Sequence, residues 1–296
     1  MLKIKYIVDA TADMPAEFAK ENDIHIIGVP VTFEDGTTLV DPFDLKDGEF
    51  YKLLESHKDI PKTSQPSLAL MQDIFESYVN DYDAIIYITM SSFGSGTYNA
   101  ANIAKANVLE NHQNAKIEII DSRAYSLFIL FMVEEAIKLQ KEGKTLKEIV
   151  EGAKMRRRYT DICVIVDTLK YLEKGGRINK ASLVAGTLLD LKPVLAVRGG
   201  VMESIDKFRG SKTVISKMIK KIKTMDVDLN EPRFSIVDTG IPEKVQQIKE
   251  ALSENFENSE VLHHSTIGAT VATHIGPGTF AVLFKTNSPQ KVYDED

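Results

Sequence analysis

Short apolar runs alternating with amphipathic stretches dominate the first half of the chain. Ile4 to Val8, Ile24 to Val31, Ala84 to Ile88, Ile117 to Ile120 and Cys163 to Val166 are apolar enough to be strands covered on both faces, the mark of parallel sheet. Between them, helical periodicity begins near Ser67, where Leu68, Met71, Ile74, Phe75 and Tyr78 share a face, and again near Thr97, Ser126 and Thr145. Thr145 and Glu148 form a capping box at the start of the last of these. The alternation predicts βαβ units on a parallel sheet flanked by helices.

The pattern changes beyond Leu169. Turn signals at Gly199-Gly200 and Arg209-Gly210 come close together, so short strands are expected there. An amphipathic helix from Ser211 through Met225, a strand from Phe234 to Asp238, a helix from Pro242 to Asn255 and a strand from Phe280 to Phe284 follow. The expected fold class is α/β: an N-terminal parallel-sheet α/β domain over 1–160, an α+β second domain over 161–287, and a solvated tail over 288–296.

Composition narrows the function classes. The 296 residues are 43% hydrophobic and carry a formal charge of −7, which argues against a general nucleic-acid binder. Arg156-Arg157-Arg158 is the one basic block; it reads as an exposed helix face, with a partner-docking patch as the alternative. Cys163 stands alone inside an apolar run, so it forms no internal disulfide and reads as a core thiol. The opening segment reads as a strand rather than a signal peptide, and no apolar run approaches the ~20 residues of a membrane span, so no stable membrane insertion and a cytoplasmic location are expected. His263-His264 has no partner at ligand spacing, and no metal site is expected.

Chemistry concentrates where strands end: Asp9 with Thr11, Ser91 with Ser92, Asp121 with Ser122, Asp238 with Thr239. In open α/β sheets ligands bind outside the carboxyl ends of the strands, so these pairs are expected on one edge, although each also reads as an ordinary helix cap. The densest stretch is Ser91-Ser92-Phe93-Gly94-Ser95-Gly96-Thr97. Four hydroxyls and two glycines exceed what one cap needs; with the free N–H groups of a helix start they suit an anion. A nucleophile elbow would need glycines where Phe93 and Thr97 stand, and no Gly-Lys-Ser/Thr phosphate loop occurs. ATP and dinucleotide binding are thereby disfavoured.

Five segments in order, Ile7-Val8-Asp9-Ala10-Thr11-Ala12-Asp13, Lys62-Thr63-Ser64-Gln65-Pro66-Ser67, the Ser91 to Tyr98 turn, Tyr171-Leu172-Glu173-Lys174-Gly175-Gly176-Arg177 and Gly268 to Gly278, together resemble the DegV family of bacterial fatty-acid-binding proteins. The resemblance spans nearly the whole chain. It implies two domains with a long-chain fatty acid between them, no cofactor, and, for some members, service as the acyl-carrying subunit that presents the carboxylate to a fatty acid kinase. On that pattern Thr63 and Ser95 hold the carboxylate, His274 lies beside it, Ser92, Gly96, Thr97 and Gly276 belong to the surrounding site, and Arg177 faces the kinase. His274 is then expected to carry partial or full charge near neutral pH.

Two departures from the family pattern matter. Ala10 stands where a serine is common. Phe128 and Leu130 stand where the helix after Asp121-Ser122 commonly has glycine, and they either pack in the core or shape the acyl tunnel. The chain is expected to be a carrier, not an enzyme, with no catalytic residues of its own. Two alternatives stay open: an acyl hydrolase or transferase using Ser95 and His274, and a sugar- or phosphate-binding module on the same edge.

Overall fold

The computed structural model describes residues 1–44, 49–178 and 190–290. The chain forms two compact units, one of Met1–Leu45 and Lys62–Arg157, the other of Lys46–Pro61 and Arg158–Asp296.

The first unit is built on four parallel strands in the order β2-β1-β6-β7: β1 (Ile4–Asp9), β2 (His25–Ile27), β6 (Ala84–Thr89) and β7 (Ile117–Asp121). Every residue of β1 and β6 is buried, as near-continuous apolar runs require. Side-chain alternation sends Tyr6, Val8, Ile86 and Ile88 to one face, against Ile129, Met132 and Val133 of α5 (Leu127–Lys141) and Ile149 of α6 (Leu146–Arg158). Ile7, Ile85 and Tyr87 face the other way, against Met71 and Phe75 of α3 (Leu68–Tyr78) and Ala100, Ala101 and Ala104 of α4 (Thr97–Asn111). Helix α1 (Ala16–Glu21) links β1 to β2. A small antiparallel sheet, β4-β3-β5, joins β3 (Val29–Thr32), β4 (Thr38–Asp41) and β5 (Lys62–Thr63).

The second unit carries a mixed six-stranded sheet, β10-β9-β8-β13-β11-β12: β8 (Thr160–Ile165), β9 (Leu191–Arg198), β10 (Val201–Arg209), β11 (Arg233–Asp238), β12 (Glu260–Thr266) and β13 (Phe280–Lys285). Only β11 and β12 pair in parallel, bridged by α9 (Pro242–Asn255). Met218, Ile219 and Ile222 of α8 (Val214–Ile222) and Ile248 and Leu252 of α9 cover one face, over Cys163, Val194, Phe234 and Val282. Two short helices, α7 (Lys170–Gly175) and α10 (Ala269–Ile275), pack together, and α2 (Glu49–Ser56) joins them: its Tyr51 hydroxyl donates to the Ile267 carbonyl.

The α/β class and the parallel first sheet stand as expected, with three revisions. Ile24 to Val31 is two strands in two sheets, parted at Gly28, where a Cβ would lie 2.4 Å from the Val40 side chain. The Cys163 strand is antiparallel to both its neighbours and belongs to the second sheet. The strands around Gly199-Gly200 are long, because those glycines, at φ 57° and 89°, form the tight two-residue turn of a hairpin. The linear division at 160 also leaves Lys46–Pro61 in the first domain, whereas this segment groups with the second unit, where α2 packs with α10. Of the expected tail, 291–296 lie outside the described residues.

Candidate functional site

Three strand ends of the first sheet converge, because β1, β6 and β7 run parallel as neighbours. Asp9, fully buried, accepts from the Met90 N–H at 2.8 Å, the Thr11 N–H at 3.1 Å and the Thr11 hydroxyl. It ties the end of β1 to that of β6, and burial, opposed by these hydrogen bonds, pushes its pKa up. Asp121 accepts from the N–H groups of Ser92 at 3.1 Å and Arg123 at 2.9 Å. Arg123 Nε lies 2.8 Å from Asp121 Oδ2, an ion pair rather than an aligned hydrogen bond, and its guanidinium covers the exposed Phe93 ring. Both carboxylates therefore build the loops.

The hydroxyl cluster lies between them. Ser91 is buried, with its carbonyl accepting from Gly94 and Ser95 N–H groups, which curls the chain into the turn before α4. The Ser95 hydroxyl is half-buried, 2.8 Å from the Thr97 hydroxyl, and accepts from the Thr97 N–H at 3.3 Å. Ser95 thus meets the first N–H of α4 while buried Thr97 backs it. Thr63 ends β5, paired with Val31, and Ser67 closes the following loop by capping α3 through the Leu70 N–H at 3.2 Å. The two hydroxyl loops touch: a Cβ on Gly96 would lie 2.1 Å from Gln65 Oε1. Gln65 of the Thr63 loop thus presses on Gly96, and it is a neighbour of the hydroxyl cluster that sequence reasoning passed over inside its own motif. On α5, Phe128 is 3% exposed and Leu130 fully buried.

His274, Gly276 and Arg177 lie in the second unit. The His274 imidazole packs on Gly175 at the end of α7, and the Gly276 backbone, at φ 80°, packs on the Tyr171 ring. Arg177 donates from its guanidinium to the Gly175 carbonyl. Burial, aided by the charge of Arg177, lowers the His274 pKa to about 4. The expected charge near neutral pH is therefore absent, and the ring is a neutral hydrogen-bonding group.

The fourth strand end belongs to a different sheet from the first three. Asp238 ends β11 in the other sheet, where it accepts from the Ile241 N–H at 2.7 Å and sits 2.7 Å from His264 Nε2. Within the arginine block only Arg158 is exposed; Arg157 is buried and donates to the Arg123 carbonyl at 3.3 Å, while Arg156 covers the Phe131 ring. Cys163 is buried as expected, and burial pushes its thiol up to about 12. Among the described residues no group of His, Cys, Asp and Glu is arranged to hold a metal ion, and no helix is long and apolar enough to cross a membrane.

Comparison with known proteins addresses the whole chain. A DegV domain-containing protein of Caldanaerobacter subterraneus subsp. tengcongensis is 32% identical over 285 residues, 96% of this chain and 99% of that protein. The structure of DegV from Bacillus subtilis, described as a fatty acid binding protein, superposes with a TM-score of 0.84 at 28% identity, covering 97% of this chain and all of that one. A hypothetical protein from Thermotoga maritima, whose structure is described as revealing a fatty acid binding function, gives a TM-score of 0.81 at 27% identity over 97% of this chain and all of that one. The family profile described as "Uncharacterised protein, DegV family" matches residues 3–287, and the chain belongs to the DegV family.

Proposed function

We propose that this protein binds a long-chain fatty acid and presents its carboxylate to a partner kinase that forms an acyl phosphate. The observation that carries the reading is the union, within one unit, of the Thr63 loop and the Ser95 turn through Gln65 and Gly96, in a family whose relatives are described as fatty acid binders. Thr97 can donate to Ser95, which frees the Ser95 proton for a carboxylate oxygen; Thr63 is assigned the second hydroxyl, and Ser92 a place in the same site. His274 of the second unit is assigned a neutral hydrogen bond to the same head group, and Gly276 its close backbone approach. Arg177 is assigned the kinase-facing role and the cytoplasm the location.

Magnitudes divide the work. At ~0.8 kcal/mol per buried methylene, a tail of about 14 methylenes contributes roughly 11 kcal/mol, less several kcal/mol for association and ordering. Hydrogen bonds to the charged head group, at ~1.5–3 kcal/mol each, orient it and select an acid over an alkane. Phe128 and Leu130 are assigned to the wall of the acyl tunnel. Native and denaturing mass spectra of the purified protein test the reading: the expected result is a long-chain fatty acid near one per chain. An empty chain that also fails to bind added palmitate overturns it.

A further inference from the structure

Two motifs meet inside the second unit in a way that head-group binding alone does not explain. Tyr171 and Gly175 stand four residues apart on α7 and so share a face; His274 and Gly276 stand either side of Ile275 where α10 ends. A Cβ on Gly276 would lie 2.3 Å from Tyr171 Cδ2, and a Cβ on Gly175 would lie 2.5 Å from His274 Nδ1. Each segment therefore offers the other one ring and one bare Cα. Neighbouring bonds fix both partners. The Gly276 N–H donates to the Ala272 carbonyl at 2.8 Å, the Arg177 N–H to Leu172 at 3.1 Å, and the Arg177 guanidinium to Gly175.

The adjacent glycine separates contact from conformation. Gly176 sits at φ 70° with nothing within 4 Å of a notional Cβ, so its backbone demands glycine and its surroundings do not. Gly175 is the reverse: it ends α7 without a left-handed φ, where alanine is the better helix former, and only the imidazole forbids a side chain. We propose that this reciprocal ring-on-glycine lock orients the His274 imidazole, with Gly175 and Tyr171 as positioning residues that act through His274 and not on the ligand. The inference rests on the reading of His274 as a head-group partner.

NMR titration of the His274 ring in the full chain tests it, alongside palmitate affinity. The wild-type ring is expected to titrate near 4. In Gly175→Ala the displaced ring loses burial, so its pKa rises by about one unit or more while palmitate affinity falls roughly tenfold. Gly176→Ala strains the backbone without touching the ring, and the His274 titration stays where it was. In a His274→Ala background, adding Gly175→Ala produces no further loss of palmitate affinity. Tyr171→Leu loosens the lock without adding an atom and also raises the His274 pKa; it decides the matter if Gly175→Ala does not fold. An unchanged His274 titration in Gly175→Ala and Tyr171→Leu, or an equal shift in Gly176→Ala, overturns the proposal. Should the wild type bind no palmitate, the fatty-acid reading falls while the titrations still decide the lock.

Discussion

In the first unit the strand-end carboxylates Asp9 and Asp121 are committed to backbone N–H groups, whereas in the second unit Gly175 and Gly276 are committed to rings. Asp9 and Asp121 each accept one N–H from their own loop and one from a neighbouring segment, so the charged residues of that edge serve as ties. The second unit uses bare Cα atoms at Gly175 and Gly276 to seat His274 and Tyr171, and burial there removes the imidazole charge. Within its own unit, each route leaves neutral hydrogen-bonding groups, the Ser95 hydroxyl in the first and the His274 imidazole in the second. Asp9 and Asp121 thus mark loop construction, and Gly175 marks a neighbouring ring that needs the space.

Breaking the tie in the first unit has the largest expected effect. Asp9→Ala leaves the Met90 and Thr11 donors buried without their acceptor, and urea unfolding is expected to show a loss of about 3–5 kcal/mol. A loss under about 1 kcal/mol would mean that the carboxylate is not what joins β1 to β6.

The second unit answers to pH. An unfolded histidine binds a proton below about 6.5, whereas folded His274 does so only near 4. Protonation in that window favours the unfolded chain, so stability falls as pH drops from about 6.5 to about 4, by up to about 3 kcal/mol. His274→Gln should not share this loss, and the difference between the two stability curves isolates it from other titrations. A flat difference contradicts the buried, neutral ring.

Thr63→Ala and Ser95→Ala sharpen the comparison from the ligand side. Each is expected to weaken fatty acid binding by roughly 1–3 kcal/mol, one donor lost from a charged head group, with unfolding midpoints nearly unchanged. Equal binding by both variants would move the head group away from the first unit's hydroxyls. The smallest effect is expected from Leu130→Val: one methylene of extra room changes the affinity ranking of fatty acids of graded length by about 1 kcal/mol. An unaltered ranking with reduced stability assigns Leu130 to the core.

Much of this was legible in the sequence because burial on two faces leaves near-continuous apolar runs, as in β1 and β6, and because capping writes Thr145 and Glu148 where their hydrogen bonds form. The helix Pro242–Asn255 was read to its residue bounds. Failures came where partners are distant in sequence. Gly28 divides two sheets through contact with Val40, and Lys46–Pro61 joins the second unit through Tyr51 and Ile267; no local pattern records either. The hydroxyl cluster was visible as composition, yet the press of Gln65 on Gly96 was not. The His274 charge was misjudged because burial is a property of packing, not of the residues beside it in the chain.

The central claim is that a fatty acid's carboxylate, and not its tail alone, is recognised by neutral donors. The direct measurement is competition on delipidated protein between palmitic acid, its methyl ester and the alcohol of the same length. The tail contribution is common to all three, so the acid is predicted to bind about 10- to 100-fold more tightly than the ester, a preference that Thr63→Ala and Ser95→Ala each reduce. Equal affinities for the three, in wild type and variants alike, would contradict the account.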